Sequence, residues 1–315
     1  MKPVNSRTQR VSTGVNLRTN VRAETSQKKP LLSIIIICDQ LRLDKLSRLL
    51  ESMKSQIEKY PAEILLLHES NIQRPAPSLP FSLRYLTIPA QQGIPFNRNQ
   101  GLRAAQGELI VFIDDDCWVQ EQWLDSLVRP LLQDQTLLAV TGGTRVPPST
   151  FLGDCIAALG FPGGGSLGFE KVWKVSEHNF TNHLSVGNCA LRRTVFEKVG
   201  YFDETMKNGA EDAEFSYRLE RAQIPVKYVP EGYAYHEART TWKEFVRWQL
   251  RRGRANYHFK KKVGTVKEFI KLRAWSAKNV LKENKNRRLP VIMTLLGMSA
   301  ALQQIGYLQE KWKHE

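Results

Sequence analysis

The sequence predicts an α/β protein in which helices flank a mostly parallel sheet, and two observations support this fold class. First, apolar runs of strand length alternate with helical patterns between residues 31 and 141, an order typical of parallel strands joined by right-handed crossovers. Second, the run Leu109–Ile113 is wholly apolar, which favours a strand buried on both faces. The C-terminal region is expected to add a basic helical appendage.

The individual elements follow from the spacing of apolar residues. A strand over Leu31–Cys38 precedes a helix in which apolar residues recur at helical spacing from Leu43 to Ile57. The other predicted strands are Glu63–Leu67, Leu83–Ile88, Leu109–Ile113, Leu137–Thr141, Val186–Leu191 and Pro225–Val229, and the other predicted helices are residues 101–106, Trp123–Leu132, Thr194–Val199 and one that starts at residues 209–212. Residues 72–80 are predicted to form a proline-rich loop, and residues 145–185, which lack the alternation, to form one side of a cleft.

Three carboxylates, Asp114, Asp115 and Asp116, follow the Leu109 strand directly. Uncompensated carboxylates are too costly to bury inside a sheet, so we expect them at the C-terminal end of the strand. Open α/β sheets bind their ligands in that crevice. Adjacent carboxylates repel each other, and a hard divalent cation offsets this repulsion. The alternative interpretation is a solvated acidic turn.

The composition suits one large α/β domain with an appendage, because the chain has 315 residues of which 42% are hydrophobic. Residues 1–30 are polar and expected to be disordered, although their Arg-rich, acid-poor start would also suit an organelle transit peptide. We expect no signal peptide, because no apolar segment precedes Leu31. Four scattered cysteines without a CxxC pair argue against a zinc site or a disulfide framework and favour a reducing compartment. The main domain is expected over residues 31–238 and the appendage over 239–315.

Most of the positive charge lies in the predicted appendage. Arg239–Arg288 holds 17 lysines and arginines against three acids, which accounts for +14 of the net charge of +15. Nucleic acid, an anionic membrane surface or a phosphorylated substrate would each suit such a segment. The apolar stretch Leu289–Leu308 has the length of a short or re-entrant membrane segment. We therefore expect a cytoplasmic protein with peripheral or monotopic attachment to the inner face of the membrane, the alternative being a helix packed on the domain.

Several short motifs occur in a fixed order along residues 31–240. They are Asn97-Arg98-Asn99-Gln100-Gly101, Ala105-Gln106-Gly107-Glu108, Phe112-Ile113-Asp114-Asp115-Asp116, Gly187-Asn188, Gly200-Tyr201-Phe202-Asp203-Glu204 and Glu211-Asp212. This ordered set resembles the family 2 glycosyltransferases, which are inverting enzymes with the GT-A fold, a Rossmann-like architecture. The resemblance implies transfer of a sugar from a nucleotide-diphosphate sugar donor to a glycan, lipid or small-molecule acceptor.

The resemblance also implies a metal-dependent donor site. The triplet is similar to the family's DxD motif, in which Asp114 would lie near the nucleoside and Asp116 would bind Mn²⁺ or Mg²⁺, a hard cation suited to oxygen ligands. Asp115 would occupy the variable middle position of this donor site. His236 resembles a histidine that joins the metal in some relatives, and a structural histidine is the alternative.

Two further residues are assigned to donor binding by the resemblance. Glu69 matches an acid that contacts the nucleobase, where the family usually has a pair of aspartates and this chain has His68-Glu69. Arg98 matches a basic residue close to the nucleotide. A surface salt bridge is the alternative role for Arg98.

The catalytic residue implied by the resemblance is Asp212, in the position of the family's general base. An inverting transfer needs one carboxylate to accept the proton of the attacking hydroxyl group. Glu211 would be its neighbour and hold the acceptor or the turn. The structural alternative for both acids is stabilisation of a helix N-terminus, where carboxylates interact favourably with the helix dipole.

Two other functions are weighed as alternatives. A nucleotidyltransferase uses acids and a metal on a similar sheet, but a glycine-rich loop usually follows its first strand, and residues 38–42 contain no glycine. The spacing GxGxxG occurs at Gly163–Gly168 after Pro162 rather than after a strand, which makes it a weak signal of a mobile glycine-rich loop. A nucleic-acid-binding protein would use the basic segment but would leave the acid triplet unexplained. Nucleic acid is therefore the less favoured partner.

Overall fold

The computed structural model describes residues 29–38, 42–70, 83–264 and 267–315. The predicted disorder of the N-terminal tail falls, except for residues 29–30, outside the described residues. The predicted loop over residues 72–80 also lies outside them. Within the described ranges, strands and helices alternate through the first half of the chain, as the sequence predicts.

The central element is an eight-stranded sheet in the order β3-β2-β1-β4-β9-β6-β10-β8, next to a three-stranded sheet in the order β5-β11-β7. The strands are β1 Leu32–Cys38, β2 Ala62–Glu69, β3 Arg84–Ile88, β4 Leu109–Asp114, β5 Cys117–Val119, β6 Ala139–Thr141, β7 Thr144–Arg145, β8 Phe180–Thr181, β9 Asn188–Arg192, β10 Val226–Tyr228 and β11 Ala234–His236. In the large sheet only β9 and β8 run antiparallel to their neighbours. The predicted mostly parallel sheet is confirmed.

The described residues form ten helices. They are α1 Leu43–Ile57, α2 Ile94–Ala104, α3 Trp123–Gln133, α4 Phe151–Ala157, α5 Phe169–Val172, α6 Thr194–Val199, α7 Glu211–Arg221, α8 Trp242–Val263, α9 Lys267–Glu283 and α10 Leu289–His314, with a 3₁₀ turn over Pro230–Gly232. One core cluster packs α1 and α3 on β1 through Ile34 and Ile36, and the other packs α2, α6 and α7 on the opposite face through Ile35. This alternation explains why β1 is apolar except for Ser33, since both of its faces are buried.

The helix predicted over residues 101–106 was placed wrongly, because α2 begins at Ile94 and ends at Ala104. The apolar spacing did not reveal it, since its inward face carries buried polar side chains. Asn97 donates to Glu69 Oε1 at 2.8 Å, and Asn99 donates to the carbonyl oxygen of Phe202 at 2.9 Å. The helix packs so closely on β1 that a Cβ at Gly101 would lie 2.7 Å from Ile35 Cγ2.

The C-terminal helices form a third packed cluster with α4, which includes Cys155, Phe245, Val280 and Leu295. The predicted apolar segment Leu289–Leu308 lies within α10, which is long and apolar enough to span a membrane by length and composition. One face of α10 packs on α8. Its other side exposes large apolar side chains, among them Met293, Ile305 and Trp312, which is 75% exposed.

Candidate active site

All eight residues predicted for the site line one cleft. They are Glu69 at the end of β2, Arg98 on α2, Asp114, Asp115 and Asp116 at the end of β4, Glu211 and Asp212 in the first turn of α7, and His236 at the end of β11. The cleft therefore lies at the C-terminal ends of the parallel strands, where open α/β sheets bind ligands.

Asp116 and His236 meet across the two sheets. His236 Nε2 lies 3.2 Å from Asp116 Oδ1, and β11 pairs with β5 so that His236 stands opposite Cys117. His236 Nδ1 donates to the carbonyl oxygen of Glu237 at 2.7 Å. Because this bond fixes Nδ1 as a donor, Nε2 is the nitrogen that faces the carboxylate. Burial acts to lower the pKa of His236, but the hydrogen bond and charge of Asp116 outweigh it and raise that pKa. A hydrogen bond from one ring nitrogen to a carbonyl oxygen is common for metal-ligating histidines.

The electrostatics of Asp116 differ from those of the carboxylate beside it. Burial acts to raise the pKa of Asp116, but the hydrogen bond and charge of His236, with the charge of Arg42, hold it well below its usual range. Burial raises the pKa of Asp115 to about 6. Both carboxylate oxygens of Asp115 accept from Arg42 Nη2, at 3.0 and 3.2 Å. Asp115 thus anchors the turn between β4 and β5 through Arg42, while Asp116 stays ionised beside His236.

Arg98 joins two acids from different parts of the chain. Its Nη1 donates to Glu211 Oε1 at 2.6 Å, and its Nη2 lies 3.7 Å from Asp114 Oδ1. Burial acts to lower the pKa of Arg98, but the charges of Glu211 and Asp114 outweigh it and raise that pKa. Arg98 is therefore a buried, charged bridge, and the salt bridge considered as its alternative role lies inside the cleft rather than on the surface.

Asp114 presents a carboxylate to the cleft, since 45% of its side chain is exposed. Desolvation by the surrounding protein raises the pKa of Asp114, although the positive charge of Arg98 acts to lower it. A Cβ at position 187 would overlap Asp114 Oδ2. Gly187 consequently leaves the space that the Asp114 carboxylate occupies.

Asp212 is the second accessible carboxylate of the cleft, with 40% of its side chain exposed. Burial raises its pKa, against a hydrogen bond from the backbone N–H of Ala213 to Asp212 Oδ1 at 2.7 Å. Its Oδ2 lies 4.0 Å from His183 Nε2, and burial lowers the pKa of His183 to about 3, so this imidazole is neutral near pH 7. His183 stacks on Trp173 with ring centroids 3.4 Å apart.

Glu69 faces the same cleft but its oxygens are already engaged. Glu69 Oε1 accepts from the backbone N–H of Gly93 at 2.9 Å and from Asn97 Nδ2 at 2.8 Å, and Oε2 accepts from the backbone N–H of Gln91 at 3.2 Å. Glu69 therefore fixes the start of α2 as well as facing the cleft.

Further cleft residues were not singled out from the sequence. Two of them are Arg239 and His183, for which the sequence gave no context. Nothing in the local pattern marks His183, because it lies in the irregular region 145–185. Arg239 could have been found from its place three residues after His236 at the start of the basic segment.

The sequence comparisons point to one family. A family model described as Glycosyl transferase family 2 matches residues 33–200. The chondroitin synthase of Pasteurella multocida (strain Pm70) is 27% identical over 169 residues, covering 44% of this chain and 17% of the synthase. The hyaluronan synthase of Pasteurella multocida is 26% identical over 230 residues, covering 61% of this chain and 23% of that synthase. The chain thus spans less than a quarter of the length of these two relatives.

The structural comparisons establish the fold. A mannosyltransferase from Pyrobaculum calidifontis, solved with GDP-Man and Mn²⁺, matches 91% of this chain and 79% of its own with a TM-score of 0.53 at 18% identity. GalNAc-T7, solved with UDP, GalNAc and Mn²⁺, matches 82% of this chain and 57% of its own with a TM-score of 0.53 at 17% identity. The chain has the GT-A fold, as the motif order predicts.

Proposed function

The chain belongs to glycosyl transferase family 2, and from this premise we propose that it transfers a sugar from a nucleotide-diphosphate sugar to an acceptor hydroxyl with inversion. One observation carries the proposal. Asp114 and Asp116 from one strand end, and Asp212 from a distant helix start, line the same cleft. The carboxylates at the end of β4 suit the side of the cleft that binds the donor. The Asp212 carboxylate on α7 suits the side that accepts the proton of the acceptor hydroxyl.

The donor side is proposed to include Mn²⁺ or Mg²⁺, and the residues present fit such an ion. Asp116 is held ionised, and His236 Nε2, 3.2 Å from it, would offer a lone pair once a bound cation displaces its proton. These two side chains would hold the metal, whose charge, when bound, would stabilise the leaving nucleoside diphosphate. The solved mannosyltransferase and GalNAc-T7 complexes, each of which contains Mn²⁺, support this assignment.

The other donor-binding roles follow from the contacts in the cleft. Asp114, with its exposed carboxylate, would accept hydrogen bonds from the nucleoside ribose, while Arg98 holds it in place from behind. Glu69 would meet the nucleobase at the start of α2. Asp115 would act through Arg42 by keeping the turn between β4 and β5 in position.

Asp212 is proposed as the general base. Its carboxylate would take the proton of the acceptor hydroxyl as the oxygen bonds to the anomeric carbon from one face and the bond to the diphosphate oxygen breaks on the other. A raised pKa suits a base, because it makes the carboxylate a better proton acceptor near neutral pH. Glu211 is the poorer candidate, because Arg98 already engages it at 2.6 Å.

The proposed location is the inner face of a membrane. Support comes from the basic segment Arg239–Arg288 and from the exposed apolar side chains of α10, which together suit an anionic interface. Flotation with vesicles containing anionic lipid tests this: replacing Met293 and Trp312 by glutamine should reduce binding, and unchanged flotation would argue against attachment through α10.

The transfer reaction is tested with a panel of UDP- and GDP-sugars, each with and without Mn²⁺ or Mg²⁺. We expect metal-dependent release of the nucleoside diphosphate, and NMR of the product should show the anomeric configuration inverted. Conversion of the nucleotide-sugar and added pyrophosphate to a nucleoside triphosphate and a sugar 1-phosphate would instead indicate a nucleotidyltransferase. Retention of configuration would exclude the single-displacement mechanism.

A further inference from the structure

Two arginines line a cavity that adjoins the active-site cleft beyond Asp212. Arg252 on α8 and Arg273 on α9 face a space of about 1000 Å³, which shares Glu211 and Asp212 with the cleft. Among the described residues neither guanidinium has a hydrogen bond or ion pair. Each packs on an aromatic ring instead: Arg252 lies 4.0 Å from the ring centroid of Phe161, and Arg273 lies 5.2 Å from that of Phe269.

The charges of these arginines are poorly compensated. Burial lowers the pKa of both groups, and the charge of Arg273 lowers that of Arg252 further. Among the described carboxylates, Asp212 is the one whose charge opposes this effect on both arginines. Arg251 lines the same cavity and adds positive charge. Partly desolvated cations without partners are costly, so an anion bound between Arg252 and Arg273 would be strongly favoured.

The same arginines border a second, smaller and mainly apolar cavity. The two cavities share Phe161, Trp173, Arg252, Phe269 and Arg273. Apolar side chains from the surrounding elements line the second one, including Leu159, Val172, Leu272, Val280 and Leu296. Trp173 also lines the cleft, and its indole N–H is buried with no hydrogen-bond partner in the described part of the chain. A hydrogen-bond donor and two cations thus meet where a polar space joins an apolar one.

We propose that Arg252 and Arg273 bind a phosphate group of the acceptor, and that an apolar substituent of that phosphate enters the cavity lined by Val280 and Leu296. Two guanidinium groups match the charge of a phosphate dianion and favour its oxygens by paired N–H donation. The phosphate would orient the acceptor hydroxyl towards Asp212. This proposal rests on the proposed transfer reaction and specifies its acceptor class.

Direct binding tests the proposal without requiring turnover. The full-length chain with Mn²⁺, UDP and GDP, which fill the donor side, is titrated calorimetrically with citronellyl phosphate, with citronellol and with glycerol 3-phosphate. We expect citronellyl phosphate to bind at least 10-fold more tightly than the other two probes. Arg252→Gln and Arg273→Gln, on different helices, should each weaken that binding about 10-fold or more, as expected for loss of a charge-assisted contact. Arg247→Gln is the matched control, because Arg247 lies exposed on α8 outside these cavities.

Three results would overturn the proposal. Unchanged binding of citronellyl phosphate by both arginine variants would remove the phosphate site. If the wild-type chain binds glycerol 3-phosphate as tightly as citronellyl phosphate, the apolar substituent does not contribute to binding. Loss of Mn²⁺-dependent nucleotide binding in the arginine variants, with correct folding shown by circular dichroism, would assign these arginines to the donor. If the wild-type chain binds no nucleotide, the proposed transfer reaction is contradicted. The titration with citronellyl phosphate still tests whether Arg252 and Arg273 bind a phosphate group.

Discussion

Glu211 Oε1 accepts a hydrogen bond from Arg98 Nη1 at 2.6 Å, and both side chains are buried. The pair joins α2 to the first turn of α7, so it sets the position of that turn against the sheet. Because Arg98 engages Glu211, the adjacent Asp212 is the carboxylate of this turn that faces the cleft with an accessible side chain. The Arg98–Glu211 pair therefore predicts an effect on stability, and Asp212 predicts an effect on turnover.

Replacing Asp212 by asparagine should abolish transfer while leaving donor binding intact. The amide has nearly the same shape but cannot accept the hydroxyl proton, so we expect turnover to fall by about 10²- to 10⁴-fold. Steady-state assays of nucleoside diphosphate release, with calorimetric titration of the nucleotide, measure both quantities. Near-normal turnover of this variant would remove Asp212 from the role of base.

Replacing Glu211 by glutamine should reduce stability as well as activity. Removing one partner of a buried ion pair commonly costs about 3–5 kcal/mol, and the loss should be smaller here because Asp114 stays 3.7 Å from Arg98. Urea unfolding measures the change. The double variant Arg98→Met/Glu211→Gln should recover part of the lost stability, because the buried guanidinium is removed together with its partner and Asp114, the other acid beside Arg98, has 45% of its side chain exposed. A double variant less stable than Glu211→Gln would contradict this account.

Asp116→Ala and His236→Ala should each weaken metal-dependent nucleotide binding. Even the loss of a residue that only orients a metal ligand costs about 10–100-fold in affinity, so loss of a proposed ligand should cost at least as much. A second group of potential ligands, His258, Glu310 and His314, lies between α8 and α10 with its ligand atoms within 4.8 Å of one another. The titrations therefore use a His314→Gln background, and equal Mn²⁺ affinity in all variants would argue against the proposed site.

The rate at saturating metal and donor should fall on the acid side of the pH profile. Asp212 accepts a proton only when ionised, and its pKa is raised by burial. Full activity is expected above that raised pKa, and the rate should drop about tenfold per pH unit below it. The midpoint should lie above the ordinary aspartate value of about 3.9. A midpoint at or below that value, or the same acid limb in the residual activity of Asp212→Asn, would contradict the assignment.

Gly306→Ala should destabilise the chain by about 1–3 kcal/mol through overpacking. The added Cβ would overlap the carbonyl oxygen of Leu250, because α10 crosses α8 with the two backbones in contact. Gly297→Ala, on the same helix with nothing within 4 Å of its added Cβ, is the control. It should leave stability unchanged or raise it by about 0.5–1 kcal/mol. Urea unfolding of both variants measures the difference, and equal stability would show that the crossing is loose.

The sequence predicted the parts of the fold that have strong apolar periodicity. The predicted helices Leu43–Ile57 and Thr194–Val199 have the bounds that the structure shows. The start of α2 was missed because its buried face is polar, with Asn97 and Asn99 in place of apolar residues. The three-stranded sheet was also missed, since strands of two or three residues carry too few side chains to show a period.

The sequence named eight residues that the structure places in one cleft, and their role as a site stays a prediction. The sequence did not reveal that Asp115 contacts Arg42 or that Glu211 pairs with Arg98. Such pairings depend on side-chain directions set by packing between distant elements. The environment of Asp212, including His183, was equally hidden, because His183 lies in a stretch without regular secondary structure of its own.

The three-stranded sheet fixes the positions of the two proposed metal ligands, Asp116 and His236, relative to each other. β5 starts directly after Asp116, and its antiparallel pairing with β11 places Cys117 opposite His236. A slip of one residue in this ladder would turn His236 to the opposite face of the strand. Insertions between β5 and β11 in related chains should therefore be tolerated over a wide range of lengths, provided that this short ladder keeps its alignment. The spacing of the ligands is thus independent of the length of the 114 residues that separate Val119 from Ala234.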